Sequence, residues 1–196
     1  MPGVDYEKAG TVMKFSLPTA FGKKVSLVIG LVVLSAFQAQ AFDKVHLLKL
    51  KALNACEDCD LRAANLTGEN LSGADLTGAK LFRAHLSMAN LFGADLTGAN
   101  LTEAKLSGTH LSRARLSGAD LTEAYLSSAR FTGANLSGAN LTRANLFVAN
   151  LSGANLSGAN LTEAYLKGAN LKNASLRGAI LCKTRMPWGK ENSGCK

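Results

Sequence analysis

Aromatic side chains are scarce in this 196-residue sequence, 6% against 47% hydrophobic, so a core built on ring clusters is excluded and small or aliphatic groups must fill it. Proline occurs three times and never between positions 61 and 181, which leaves every backbone N–H of that stretch free to join a hydrogen-bond ladder. Histidine is limited to His46, His85 and His110, too dispersed to form one metal shell. Acidic residues number 14 against 22 Lys and Arg, for a formal charge of +8, so the overall balance is basic. The apolar run at 25–37 carries no charge but is too short to span a bilayer comfortably as a helix.

That run has another reading. Lys8, Lys14, Lys23 and Lys24 precede it, and Ala39-Gln40-Ala41 follows with small residues at both positions a signal peptidase inspects. Residues 1–41 therefore read as an export signal cleaved between Ala41 and Phe42, with Met1 or Met13 as the start; an uncleaved anchor or a buried helix is the alternative. Residues 42–196 keep a net charge of +6. The expected destination is a periplasm or a thylakoid lumen, an oxidising setting in which four cysteines are disulfide candidates with three pairings open to them.

From position 61 to 181, stepping by five, 24 of 25 residues are Leu and the other is Phe131. Two places before each Leu, from Ala64 to Ala179, 22 of 24 are Ala; Glu69 and Thr109 are the exceptions. A helix turns about 100° per residue, so a five-residue step would smear the Leu stripe around its cylinder. A straight strand fails too, because an odd step sends successive Leu to opposite faces. A bend must therefore intervene in every repeat, with Ala and Leu inward, the residue between them outward, and the next two at the corner. All 13 Gly of this region fall two places after a residue of that column, twelve after Leu and Gly133 after Phe131, where a tight bend best tolerates a missing Cβ, and the position just after the column residue is Ser or Thr at 17 of 24 sites.

Leu101-Thr102-Glu103-Ala104 recurs as Leu121-Thr122-Glu123-Ala124, Leu141-Thr142-Arg143-Ala144 and Leu161-Thr162-Glu163-Ala164, a second period of 20. Four pentapeptides then make one turn of a four-sided solenoid, with about six turns stacked at about 4.8 Å. The motif Ala-(Asp/Asn)-Leu-(Ser/Thr)-Gly, as in Ala74-Asp75-Leu76-Thr77-Gly78 and Ala94-Asp95-Leu96-Thr97-Gly98, resembles the pentapeptide-repeat family over residues 60–181. The resemblance implies an all-β fold, a right-handed quadrilateral β-helix, in a family of mostly structural or interaction proteins, many of them exported in cyanobacteria.

A solenoid needs its ends covered. Residues 42–58 are expected to form the N-terminal cap, with Asp43 starting a short helix that turns Val45, Leu48 and Leu53 to the first coil and leaves Lys44, Lys49 and Lys51 wet. The repeats then run over 59–181, and 182–196 form a C-terminal cap or tail in which Met186 and Trp188 cover the last rung. Cys56 falls in register with the Leu column and Cys59 with the Ala column, so both point inward, buried or paired; a redox pair or half a zinc site is the competing reading of their spacing. Cys182 and Cys195 are placed to close a modest loop. Glu69, near the end of the stack, is expected to reach out through a distorted coil instead of acting as a buried acid.

No Ser stands in a nucleophile elbow, and no phosphate-cradling motif with Lys occurs, so an enzyme is not expected and no cofactor is called for. Folding the sequence modulo 20 exposes a corner column of Arg83, Glu103, Glu123, Arg143, Glu163 and Lys183, suited to ion pairs between rungs. On a neighbouring side Tyr125 and Tyr165 share an outward column, Phe147 and Val148 lie between them, and Met88 sits nearer the start. These five form an expected apolar patch for a protein partner, against the competing reading of scattered surface hydrophobes; Phe82 and Phe92 are a weaker candidate on other sides. The function expected is an exported, non-catalytic scaffold for an unidentified protein. The resemblance also raises mimicry of duplex DNA toward a type II topoisomerase, but the repeats carry 11 Lys and Arg against 7 Asp and Glu, and export would separate the protein from that target. Nucleic acid is not an expected partner, while weak attraction to an anionic membrane surface is compatible with the charge.

Overall fold

The computed structural model describes residues 44–195; the expected signal at 1–41, its cleavage site and the Asp43 cap lie outside the described residues. From Leu61 onward the backbone turns a corner every five residues, and isolated parallel bridges join each outward residue to the one 20 places on, from Ala55 with Asp75 through to Tyr165 with Arg185. Two backbone bonds per repeat run up to the next rung, as where the N–H of Leu101 donates to the carbonyl of Asp120 at 2.7 Å and that of Glu103 to Thr122 at 2.9 Å. A third closes the corner itself, the N–H of Ala104 donating to the carbonyl of Leu101 at 3.0 Å. A fourth runs down, from the N–H of Lys105 to the carbonyl of Ala84. The four sides are thus one continuous ladder, and it uses the N–H groups that proline would have removed.

The corner bond spans three residues, and the residue two after Leu has positive φ, from 50° at Val148 to 73° at Gly168. With positive φ at that site and not at the one before it, these are type II turns, which demand a left-handed residue in the third place. Glycine supplies it at least cost. The residue before the turn is so often Asn or Asp because its side-chain oxygen accepts the N–H two places on, as Asn100 Oδ1 does from Thr102 at 3.0 Å. At Asp120 the same oxygen also accepts the Thr122 hydroxyl at 2.6 Å, which gives the following Ser or Thr its reason.

Inside the ladder every Leu from Leu61 to Leu166 is buried, as are Phe131 and the Ala column between Ala74 and Ala169. Each buried Leu removes enough apolar area from water to contribute roughly 1.5–3 kcal/mol against the ordering of the chain. Thr109, which breaks the Ala column, is fully buried and satisfied, its hydroxyl donating to the carbonyl of Leu86 at 2.8 Å. Among the described residues no buried side-chain N or O atom lacks a hydrogen-bond partner.

Before the coils stands α1 (Lys44–Leu53), and its orientation differs from the expected one. Val45, Leu48 and Leu53 are exposed, while Leu50 is buried and Leu47 packs partly against the core. Polar docking fixes this face. The N–H of Asp60 donates to His46 Nδ1 at 3.0 Å, Asn54 Nδ2 donates to the Ser72 carbonyl at 2.9 Å, and Lys51 meets Glu69 at 2.8 Å. Glu69 is thus a partly exposed ion-pair partner at this end. Asn54, with φ 51°, ends α1 in a left-handed conformation, the usual role of glycine or asparagine there.

At the other end β1 (Thr184–Met186) and β2 (Gly189–Glu191) form an antiparallel hairpin with Met186 opposite Gly189. Met186 is buried, but Trp188 is 61% exposed and does not cover the last rung. The indole leaves the axis because its N–H is held by Glu191 Oε1 at 2.9 Å, within the hairpin itself. The last coil is therefore closed unevenly. Leu166 and Leu181 donate to Arg185 and Ser193, whereas Leu171, Leu176, Ala174 and Ala179 stay half-buried.

The narrow axis predicts intolerance of added volume. Ala134 is 1% exposed in the inner column, so Ala134→Leu should cost about 1–3 kcal/mol, read as a lowered midpoint in urea unfolding at unchanged slope.

Candidate functional site

Because Leu and Ala face inward, three residues of each five are free to vary, and residues 20 apart become vertical neighbours. That register places Tyr125, Asn145, Tyr165 and Arg185 in one column, joined rung to rung by backbone bridges. One residue beyond the intervening Leu, Phe147 and Lys167 stack in the next column, and beside them come Met88, Val148 and Gly168. The structure brings four of the five expected patch residues together. Phe147 and Tyr165 stack with ring centroids 6.0 Å apart and planes 15° from parallel. Tyr125 is 53% exposed and Phe147 41%, so the rings present area to solvent. Val148 lies over Gly168, where a Cβ would come within 2.9 Å of its Cγ1, so the glycine makes room for it. Met88 stands apart, three rungs earlier, folded over Gly108. Phe82 and Phe92 are less available: Arg83 lies 4.7 Å from the Phe82 centroid, and Phe92 is flanked by His110 and Arg113.

Where this strip meets the C-terminal hairpin there is a groove of about 830 Å³, lined by Tyr165, Lys167, Lys183, Arg185, Trp188 and Lys190 together with Glu163. Sequence reasoning did not anticipate it. The signal was nonetheless present, since continuing the register of 20 past the last repeat puts Arg185 over Tyr165 and Trp188 over Gly168. Arg185 sits 6.0 Å from the Tyr165 centroid, a cation over a ring face.

The corner column of charges pairs as its alternation suggests. Arg83 meets Glu103 at 2.7 Å, Arg143 meets Glu163 at 2.9 Å and Glu123 at 3.3 Å, and Lys183 reaches Glu163 at 3.9 Å. The hydrogen bond from Arg143 holds the Glu163 carboxyl below its ordinary range. At Asp95 burial works to raise the pKa, but hydrogen bonds from Thr97 and the Arg115 pair outweigh it and the carboxyl lies low. These charges neutralise one another on solvated faces of the coil.

Cys56 is bonded to Cys59 and Cys182 to Cys195, with Cα atoms 5.2 and 4.7 Å apart. The first pair is buried in the opening coil; the second ties the tail to the last one. Among the described residues no group of three or more His, Cys, Asp or Glu could hold a metal ion, and no helix is long and apolar enough to cross a membrane.

A family model described as pentapeptide repeats matches residues 59–98, 99–138, 109–146 and 149–186, more than half of the chain. Among solved structures, a pentapeptide repeat protein from the Arabidopsis thaliana thylakoid lumen is 34% identical over 47% of this chain and 64% of its own, with a TM-score of 0.46. HetL, a pentapeptide repeat protein involved in heterocyst differentiation regulation from the cyanobacterium Nostoc sp. strain PCC 7120, is 38% identical over 66% of this chain and 64% of its own, with a TM-score of 0.29. Rfr23 from the cyanobacterium Cyanothece 51142 is 36% identical over 69% of this chain and 96% of its own, with a TM-score of 0.28. The chain thus spans 64% of the length of the first two of these proteins. No curated protein matches it.

One patch residue is held at a cost. Val148 has φ 50°, and it is the one β-branched side chain with positive φ among the described residues. A left-handed L-residue costs about 1–2 kcal/mol, more than the roughly 0.5–1 kcal/mol that glycine loses in chain entropy. Val148→Gly should therefore stabilise the fold by about 0.5–1 kcal/mol, seen as a higher thermal midpoint; an equal or lower midpoint would show that Val148 contributes more by packing over Gly168 than its backbone costs.

Proposed function

This chain belongs to the pentapeptide-repeat family, whose fold is a right-handed β-helix, and from that premise we propose that it is an exported, non-catalytic scaffold that docks a protein partner on the strip of Tyr125, Phe147, Val148 and Tyr165, with Met88 as an outlying contact. One observation carries the reading: a strained, exposed Val148 beside the exposed Phe147 ring, which is stacked on the half-buried Tyr165. Backbone strain is retained where surroundings or use demand it, and aromatic rings dominate the energetics of protein interfaces. The family's generally non-enzymatic character and the internally paired charges support the absence of catalysis.

In this reading the repeats at 59–181 form about six coils. Residues 42–58 cap the first, with Leu50 as the seal, and 182–196 tie down the last through the Cys182–Cys195 bond. Export rests on the leader sequence, with cleavage near Ala41 and a periplasm or thylakoid lumen as destination. Both disulfides suit an oxidising compartment. Mimicry of duplex DNA would need an acidic rod, and the repeats carry a net charge of +4.

Capture of partners by the full chain from its native extract, compared with the Tyr125→Ser, Phe147→Ser double variant, tests the reading. A bound protein that falls at least about tenfold with the variant is expected. Capture unchanged by the two substitutions would remove the strip as the docking face.

A further inference from the structure

The groove beside the C-terminal hairpin has a chemistry the strip lacks. Lys167, Lys183, Arg185 and Lys190 line it together with the single acid Glu163. Glu163 is already taken by Arg143 at 2.9 Å and Lys183 at 3.9 Å. Among the described residues Lys167, Arg185 and Lys190 form no ion pair. Cations without an acidic partner, gathered around one concavity, produce a local field that draws in an anionic ligand. The floor is not purely polar. Trp188 is mostly exposed, its N–H held by Glu191, so the indole face is fixed in orientation and open to a flat or aliphatic group, and Tyr165 continues into the stack with Phe147.

Resting on the scaffold reading of the same side, we propose that this groove binds an acidic segment of a protein, with carboxylates on Lys167, Lys183, Arg185 and Lys190 and following apolar side chains on Trp188, Tyr165 and Phe147. The charge distribution selects a peptide over a nucleic acid. A nucleic acid strand carries a phosphate at every step and needs a basic track along its length. Here the unpaired positive charge stops at the groove: one rung below Lys167 stands Phe147, below Arg185 come Tyr165 and then Asn145, and in the adjoining corner column Arg143 is paired with both Glu123 and Glu163. A ligand charged at one end and apolar beyond it matches this sequence of surfaces, and a uniformly charged one does not.

Trp188 is the only tryptophan of the chain, so its emission reports on the groove directly. The full chain would be titrated with a synthetic peptide bearing a run of Asp and Glu followed by Leu and Phe, with its Asn and Gln counterpart, and with oligo-dT of equal charge. The acidic peptide should shift Trp188 emission saturably, and its affinity should fall at least about tenfold in the Lys167→Glu, Lys190→Glu variant and weaken in high salt. Both lysines are exposed, and the single Lys167→Gln variant, expected to weaken binding several-fold, serves if the double variant does not fold. Equal affinity for the Asn and Gln peptide, binding indifferent to these substitutions, or tighter binding of oligo-dT would overturn the proposal, the last in favour of a nucleic acid. The two readings fail separately. Peptide binding that survives in Tyr125→Ser, a residue outside the groove, alongside capture unchanged in Tyr125→Ser, Phe147→Ser, sinks the strip and spares the groove; charge-insensitive peptide binding alongside lost capture does the reverse.

Discussion

The stacking of leucines on a shared axis is the constraint from which the rest of this molecule follows. A five-residue step is incommensurate with helix and strand alike, so those side chains can meet only if the backbone turns between each pair. Four turns close a square. The space left at its centre admits one leucine and one small residue per side, and that is why alanine, not a larger apolar residue, fills the companion column and why Phe131 is the single ring on the axis. The same geometry brings each residue over the one 20 places earlier, so the ladder of backbone bonds is a consequence of the core and also its protection from water.

This arrangement separates stability from function. Two residues in five hold the rod together, and the corner is restricted in backbone conformation but not in side-chain chemistry. Arg, Glu, Ser and Val all occupy left-handed corners here beside the glycines. Each exception carries a conformational cost and projects a side chain outward, so the corners where glycine has been given up are where the surface acquires character. In one column those exceptions are charges that pair between rungs; another includes Met88, over Gly108, and Val148, beside Phe147. The flat sides of a solenoid are therefore read by column and not by order along the chain.

Most of the fold was legible because the signal repeats. Each leucine, alanine and corner glycine was one of many equivalent observations, and the register of 20 followed from recurring tetrapeptides. The aromatic strip came from the same arithmetic: Phe147 and Tyr165 are 18 apart, yet the stacked rungs make them neighbours. What was not legible lies at the ends, where each element occurs once. Amphipathic spacing suggested that Val45, Leu48 and Leu53 would face the coil, but α1 is oriented by His46, Asn54 and Lys51 reaching polar groups of the first coil, and these contacts turn Leu50 inward. Trp188 was drawn toward the core on hydrophobicity alone, whereas Glu191 in the facing strand holds it at the surface. The groove was missed for the same reason, since the register was not carried past the last repeat into the hairpin.

Amide hydrogen exchange followed residue by residue tests the axial core most directly. If the leucines stack inside square coils, protection should repeat every five residues through the interior, with the Leu, corner, Ala and outward amides slow and the amide just after each Leu the fastest of the five, since it lacks a backbone acceptor and is held, where at all, by an Asn or Asp side chain. At the open end, Leu171, Asn173, Leu176 and Gly178 should exchange quickly, having no rung above them. Continuous protection over long segments, as in helices, or rapid exchange of the interior leucine amides would contradict the account.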